Sequence, residues 1–196
     1  PTQMQVVLLS LIHENNMEPA ASTLINSLIQ ESYNFGYNDF IFEMGDSRVD
    51  MFAKNLKGSK SNRMKLTIYG SVGNFIGDNS SYIDLSVQGP IGDFSFKKID
   101  NCSVKIYSDA GSHCASDAKH SYLEIGGTLD TTFASRAYGC TFKINQSVSY
   151  PRIINSKTGY PSYCTFLTSD ERTYKSLNRN FGLQKYLHLN SVRLIK

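Results

Sequence analysis

The stretch Ile83-Asp-Leu-Ser-Val-Gln-Gly-Pro-Ile-Gly92 returns in altered form every 19 residues through the middle of this 196-residue chain. Its first five residues define a pattern in which the third and fifth are apolar and the fourth is polar. The same pattern occupies residues 64–68, 83–87, 102–106, 121–125 and 140–144. Because alternation with a period of two buries one face of a strand and leaves the other in water, each segment is predicted to be a strand.

Glycine follows the predicted strands at the same interval. One position of the repeat holds Gly70, Gly89 and Gly127, and another, three residues later, holds Gly73, Gly92 and Gly111. These positions predict corners, where the chain needs a positive φ angle or a close approach of two backbones. An antiparallel meander explains the alternation but not an unvarying interval. The repeat therefore favours a mostly β fold, a single-stranded parallel β-helix with 19-residue turns over residues 39–168.

Two glycine-rich motifs resemble those of a known family: Gly70-Ser-Val-Gly-Asn-Phe-Ile-Gly77 and Gly89-Pro-Ile-Gly-Asp-Phe94, with weaker versions at 110–111 and 127–130. Over residues 20–168 the chain resembles the GXGXG domain of the glutamate synthase large subunit, a domain that formylmethanofuran dehydrogenases also contain. The resemblance implies a right-handed β-helix and a non-catalytic structural or protein-interaction role. Later turns depart from the motif, with Ala115 and Ala134 where the first has Gly77. The sequence also lacks the amidotransferase, flavin-domain and iron–sulfur motifs of glutamate synthase, so its activity is not implied.

Residues 1–38 are predicted to form an extended strand over 3–12 and then a helix that caps one end of the coil. Pro19 lies in the first turn of this helix and Gly36 ends it. An uncovered end of a stacked sheet exposes a row of unpaired backbone groups, so a cap is expected there. The apolar face of the helix is predicted to carry Leu24, Ile25, Leu28 and Ile29.

Residues 169–196 are predicted to form a basic C-terminal tail on the same globular unit. Just before it, Tyr163-Cys-Thr-Phe-Leu167 echoes Cys140-Thr-Phe142, but 24 residues later, so five residues are inserted in that turn. Asp170 is expected to cap a short helix. Strand-like pieces follow at 186–189 and 192–195, and one face of the helix carries Tyr174, Leu177 and Phe181.

The formal charge of +3 is concentrated at the C-terminus. Residues 171–196 hold six basic residues against Glu171 alone, a net charge of +5, which leaves −2 for the first 170 residues. Arg172, Lys175 and Arg179 are therefore candidates for contact with an acidic protein surface or, as the less favoured alternative, with nucleic acid. A solvated face on a capping helix explains the same residues and is favoured over either partner.

Aromatic residues at the corners are predicted to form an exposed apolar docking patch, and Phe75, Phe94 and Phe96 are its candidates. Together with the basic residues of the tail, they predict a surface for a protein partner or for another copy of the chain. The apolar stretch 6–12 is too short to span a bilayer and follows no basic segment. We therefore expect no membrane association and a cytoplasmic location.

One cluster suggests metal binding, because His113, Cys114, Asp117 and His120 lie within eight residues and offer donors that zinc accepts. Their spacing does not match the usual zinc motifs, so a surface loop with a buried Cys114 is favoured. No catalytic residue and no cofactor is predicted. The alternative is an enzyme or accessory subunit of an oxidoreductase system with a site at 113–120. Cys102 and Cys140 lie two turns apart, about 10 Å, which is too far for a disulfide.

Overall fold

The structure is a computed structural model that describes residues 3–5, 18–45, 48–129, 132–145, 159–182 and 190–195. Its helices are α1 (Glu18–Asn34) and α2 (Glu171–Gly182). Its strands, in chain order, are β1 (Gln3–Gln5), β2 (Asp39–Gly45), β3 (Met64–Gly70), β4 (Ile83–Val87), β5 (Ser103–Ile106), β6 (Tyr122–Ile125), β7 (Thr141–Ile144), β8 (Thr165–Thr168) and β9 (Ser191–Leu194). Neither helix in these ranges is long and apolar enough to cross a membrane.

The nine strands belong to one open sheet, in the order of the sequence, and every neighbouring pair is parallel. From β3 to β7 the paired residues lie 19 apart along the chain, as in Met64 with Ile83 and Tyr122 with Thr141. The prediction of a mostly β chain with a parallel sheet is confirmed. The antiparallel meander is excluded.

Outside the strands, single residues form two further parallel ladders from one repeat unit to the next. One ladder joins Val72, Ile91, Ala110 and Leu129, and the other joins Lys57, Ser81, Asp100, Lys119, Tyr138 and Ser162. A regular unit thus pairs with its neighbours at a strand and at two corner positions. This arrangement is consistent with a parallel β-helix.

The apolar columns of the repeat form the core. The third and fifth residues of each predicted strand are at most 2% exposed: Leu66, Leu85, Val104, Leu123, Phe142, Ile68, Val87, Ile106, Ile125 and Ile144. Burial of one such side chain stabilises the fold by about 1.5–3 kcal/mol. The polar column between them faces outward, because successive side chains in a strand point to opposite faces.

The corner glycines serve mainly to let successive turns approach closely. A Cβ built on Gly92 would lie 2.8 Å from the backbone nitrogen of Asn74, and one on Gly111 would lie 2.8 Å from that of Asp93. Real Cβ atoms are not found so close to a backbone atom. Neither glycine has a positive φ, so space and not backbone freedom explains this column of the repeat.

Positive φ angles in the corners are carried mostly by other residue types. Eighteen described non-glycine residues have them, including Phe94 (56°), Phe96 (58°) and Lys98 (57°). Each costs about 1–2 kcal/mol, but bonds between turns offset the cost. The amides of Phe94 and Lys98 donate to the following turn, and that of Phe96 donates to the carbonyl of Ile76 in the preceding turn at 2.7 Å. Later turns can therefore lack the glycines of the motif and keep the corner.

Helix α1 covers the corner residues of the first turn with side-chain amides that take the place of a preceding turn. Asn26 donates to the carbonyl of Met51 and accepts from the amide of Ala53, both at 2.8 Å. Gln30, one helical turn later, makes the equivalent pair with the backbone of Lys57.

The predicted apolar face of α1 is correct only in part. Ile25 and Ile29 are buried, but Leu24 is 60% exposed and Leu28 is 49% exposed. The polar residues Ser22, Asn26 and Gln30 share the buried stripe with the isoleucines because they satisfy the edge of the stack. This need for hydrogen bonding displaces the two leucines to solvent.

At the other end, α2 packs on β8 and β9. The carboxylate of Asp170 accepts from the amide of Thr173 at 2.7 Å, as the predicted cap requires. This bond lowers the pKa of Asp170. Thr173 and Leu177 are buried. The predicted strand at 186–189, most of 3–12 and the side chain of Phe181 lie outside the described residues.

Candidate functional site

Three aromatic rings form a column on one corner of the stack. The ring centroids of Phe75 and Phe94 lie 5.3 Å apart with an interplanar angle of 11°. Those of Phe94 and His113 lie 4.8 Å apart at 1°. The three residues occupy one position of the repeat, so the spacing of turns, about 4.8 Å, sets the stacking distance. Phe94 is 38% exposed, and Phe75 and His113 are partly exposed.

The residues just before the aromatic column hold it rigidly. The side-chain oxygen of Asn74 accepts from the amide of Asp93, and that of Asp93 accepts from the amide of Ser112, both at 2.8 Å. The amides of Phe75 and Phe94 also donate to the following turn, at 2.9 and 2.8 Å. The backbone that carries the rings is therefore fixed by hydrogen bonds to the neighbouring turns.

Phe96 does not belong to this surface, and its prediction as a docking residue is wrong. Its side chain is fully buried. Its position in the repeat is equivalent to that of Gly77 and Ala115, which face the interior. The small residues on the neighbouring turns leave the space that the Phe96 ring fills.

Four residues beyond the aromatic position, the repeat holds Asn79 and then a row of three charged side chains, Lys98, Asp117 and Arg136. Arg136 donates two hydrogen bonds of 2.6 Å to the carboxylate of Asp117, one turn earlier. Lys98 lies on the turn that precedes the turn of Asp117. The bond from Arg136 holds the pKa of Asp117 below its usual range, although partial burial opposes this shift. These groups give the aromatic column a polar border.

A second aromatic group lies at a different corner. The Tyr138 ring contacts His120 and Tyr163, with centroid distances of 5.7 and 5.2 Å. Tyr138 is 45% exposed and Tyr163 is 57% exposed. Sequence reasoning did not identify this group, although the echo of Cys140-Thr-Phe142 at residues 164–166 is a signal that aligns Tyr163 with Gly139 and, one turn earlier, with His120. The register of Thr141 with Thr165 and of Tyr122 with Thr141 confirms that alignment.

The four predicted metal-ligand candidates are held in different surroundings. Burial raises the pKa of the Cys114 thiol to about 12, His113 stacks on Phe94, and Asp117 is bound by Arg136. His120 Nδ1 lies 3.0 Å from Asp100 Oδ1. Among the described residues, no group of three or more His, Cys, Asp or Glu is placed to hold a metal ion.

Glu124, on the outer face of the sheet, is a strongly bound carboxylate. Burial opposes ionisation of Glu124, but bonds from Lys143 (2.9 Å), Asn145 (3.0 Å) and Tyr122 (3.1 Å) outweigh it and lower the pKa to about 2. Burial and then Glu124 raise the pKa of Tyr122 to about 12. A carboxylate this weakly basic, with its oxygens occupied, is suited to stabilising the sheet and not to proton transfer.

The basic face of α2 is exposed as predicted but lies apart from the aromatic column. Arg172, Lys175 and Arg179 all face solvent, and Lys175 Nζ lies 2.7 Å from Glu171 Oε1. Helix α2 packs on β8, four strands beyond the turn of Phe94, which is about 19 Å along the stack. The structure does not join the two halves of the predicted docking surface.

A cleft of about 440 Å³ lies between α1 and the first turn. Most of its lining residues are polar and include Asn26, Gln30, Lys54 and Asn55, with Met51 and Leu56 among them. The two α1 amides already bond to backbone groups of that turn. The cleft is therefore part of the cap that joins the helix to the stack.

Comparison of the chain with protein-family models, with curated proteins and with solved structures found no match. The fold and the surface define the class: a mostly β protein with a parallel stacked sheet and ordered aromatic columns on its exterior.

Proposed function

We propose that the protein is a non-catalytic interaction scaffold that binds a protein partner, or a second copy of itself, through the column of Phe75, Phe94 and His113. In this proposal the stack is a right-handed β-helix with 19-residue turns, similar in architecture to the GXGXG domain. The chain works by presenting a fixed surface and not by chemical catalysis.

The observation that carries the proposal is the stacking of three rings on an exposed corner, with Phe94 38% exposed. A phenylalanine that remains in water forgoes about 1 kcal/mol or more of burial energy, which a partner would recover. Aromatic anchors surrounded by polar groups are typical of the residues that dominate protein interfaces. Because inter-turn hydrogen bonds already order the backbone, little conformational entropy is lost on binding.

The shape of the column favours a macromolecule over a small ligand. Small molecules bind in concave pockets that enclose most of their surface. Phe75, Phe94 and His113 instead form one stacked column at an exposed corner. The row containing Lys98, Asp117 and Arg136, four residues further along the repeat, provides charges of both signs, as the rim of a protein interface does.

The proposal is tested with tagged wild-type protein, Phe94→Ser and the matched control Tyr107→Ser, incubated in lysate of the source cells. Tyr107 is 48% exposed on the outer sheet face, away from the column. We expect wild type and Tyr107→Ser to recover the same stoichiometric partner, or to form the same oligomer by light scattering, and Phe94→Ser to lose it. Equal behaviour of the two variants, with circular dichroism showing both folded, contradicts the proposal.

A further inference from the structure

Two of the four cysteines stack on adjacent turns. The amide of Thr165 donates to the carbonyl of Cys140 at 2.9 Å, and Thr141 pairs in register with Thr165. Cys164 therefore lies directly beside Cys140 in the neighbouring strand, about 4.8 Å away between backbones. This spacing is within the range of about 4.4–6.8 Å that disulfides require between Cα atoms.

The other cysteines lack such a neighbour. Ser121 occupies the turn between Cys102 and Cys140, and Cys114 belongs to a different corner. All four thiols are free and buried in the structure. Of these four cysteines, only Cys140 and Cys164 thus lie side by side on adjacent turns.

The two thiols also differ in acidity. Each donates to a carbonyl of its own turn: Cys140 to Tyr138 at 3.4 Å and Cys164 to Ser162 at 3.3 Å. When the Cys164 thiol ionises, the Cys140 thiol can turn from its carbonyl and donate to the Cys164 sulfur, which lowers the pKa of Cys164 and raises that of Cys140. Cys164 is therefore the thiol that ionises first, while Cys140 keeps its proton.

We propose that Cys140 and Cys164 are an oxidation site that forms a reversible intramolecular disulfide between the last regular turn and the turn containing β8. The proposal is independent of the docking surface. The bond closes a loop over residues 140–164 and fixes the start of the C-terminal cap to the stack.

A hydroperoxide is the oxidant that the chemistry requires. The Cys164 thiolate attacks one peroxide oxygen, the O–O bond breaks, and the second oxygen leaves with a proton as water when the oxidant is hydrogen peroxide. The sulfenic acid formed on Cys164 is then attacked by the Cys140 sulfur. The S–S bond forms, the S–O bond breaks, and hydroxide leaves with the Cys140 proton as water. Two thiols lose two electrons and one peroxide becomes two waters.

Both sulfurs are buried, so the oxidant reaches them only when this turn opens locally. The reaction is therefore expected to be slower than that of an exposed low-pKa thiol. Once formed, the disulfide is expected to resist reduction in the folded protein and to yield to dithiothreitol in denaturant.

The test treats the purified full chain with hydrogen peroxide, alkylates it with N-ethylmaleimide in denaturant and maps tryptic peptides by mass spectrometry. Cleavage after Arg136, Lys143, Lys157 and Arg172 places Cys140 and Cys164 on separate peptides. We expect two of the four cysteines to resist alkylation, one linked peptide pair that contains Cys140 and Cys164, and full alkylation after reduction. The oxidised chain is also expected to unfold at a higher temperature.

Cys102→Ser and Cys114→Ser are matched controls that should keep the cross-link, whereas Cys164→Ser should leave all of its remaining cysteines open to alkylation. If Cys164→Ser does not fold, the wild-type peptide map decides alone. Full alkylation of all four cysteines after peroxide overturns the proposal. So does a linked pair that involves Cys102 or Cys114, a link between chains, or sulfinic acid at Cys164 in place of the disulfide.

Discussion

The ring of Phe96 lies against Gly77, one turn earlier, where a Cβ would come within 2.7 Å of its Cδ1 atom. One large residue is thus accommodated in the interior because its neighbour in the stack has no side chain. The pair explains why a single position of the repeat holds glycine, phenylalanine and alanine in successive turns. Contacts between equivalent positions of successive turns therefore decide which residue each corner can hold.

Replacing Gly77 by alanine should destabilise the protein through both the ring contact and the backbone. Overpacking of the Phe96 ring costs about 1–3 kcal/mol, and the φ of 67° adds about 1 kcal/mol for a residue with a Cβ. Gly45→Ala is the matched control, because Gly45 has a φ of 54° but no atom within 4 Å of its Cβ position. Urea unfolding should show a clearly larger loss for Gly77→Ala. Equal losses would mean that Phe96 moves aside freely.

Glycine at position 98 should stabilise the protein, whereas glycine at position 97 should destabilise it. Lys98 has a φ of 57° and is exposed, so Lys98→Gly relieves strain of about 1–2 kcal/mol, which exceeds the cost of about 0.5–1 kcal/mol for the added freedom of the unfolded chain. Lys97 is not in the left-handed region, so Lys97→Gly only adds freedom to the unfolded chain and costs about 0.5–1 kcal/mol. Thermal unfolding of both variants measures the difference. A lower melting temperature for Lys98→Gly would show that the corner is not strained there.

Removing the side-chain amide of Asn26 should leave backbone groups at the edge of the first turn without hydrogen-bond partners. Asn26→Ala leaves the carbonyl of Met51 and the amide of Ala53 without their partner, at a cost of about 2–4 kcal/mol. Asn178→Ala in α2 is the control, because that side chain is exposed and bonds only to its own helix. Urea unfolding gives the stability, and light scattering reports association through the exposed edge. A loss no larger than that of Asn178→Ala would exclude a capping role for α1.

Acid should weaken the sheet through Glu124. The folded pKa of Glu124, about 2, lies below the ordinary glutamate value of 4.5. Its contribution to the free energy of unfolding is therefore present above pH 4.5 and is lost as pH falls toward 2. The contribution at pH 7 is at most about 3 kcal/mol. Urea unfolding at pH 7 and pH 3 should show that Glu124→Gln is less stable at pH 7 and loses less on acidification than wild type. Parallel losses in the two proteins would assign the acid sensitivity to other carboxylates.

The fold could be predicted from the sequence because one interval repeats through apolar, polar and glycine positions at once. A stacked turn places identical positions against each other, so each column of the repeat is also a column in space. Leu66, Leu85 and Val104 were predicted to be buried on this basis, and they are.

The sequence was less informative at the corners and ends. Phe94 and Phe96 lie two residues apart in one corner and have the same hydrophobicity, yet one faces water and the other the core. Which of the two side chains faces the core depends on the backbone angles of the corner, and the hydrogen bonds between turns define these angles. The exposure of Leu24 depends likewise on the polar bonds of α1. The echo of Cys140-Thr-Phe142 at residues 164–166 aligns Cys164 with Cys140, but only the register of Thr141 with Thr165 shows that their turns are adjacent despite the five inserted residues.

The most direct test of the proposed docking role is site-specific photo-crosslinking. A photoreactive phenylalanine analogue is placed at Phe94 in one protein and at Tyr107 in another, and both are irradiated in lysate of the source cells. We predict a single discrete product, with a partner or with a second copy of the chain, from position 94 and none from position 107. The same products from both positions, or none from position 94 while a partner co-purifies, would contradict the assignment of the aromatic column as the docking surface.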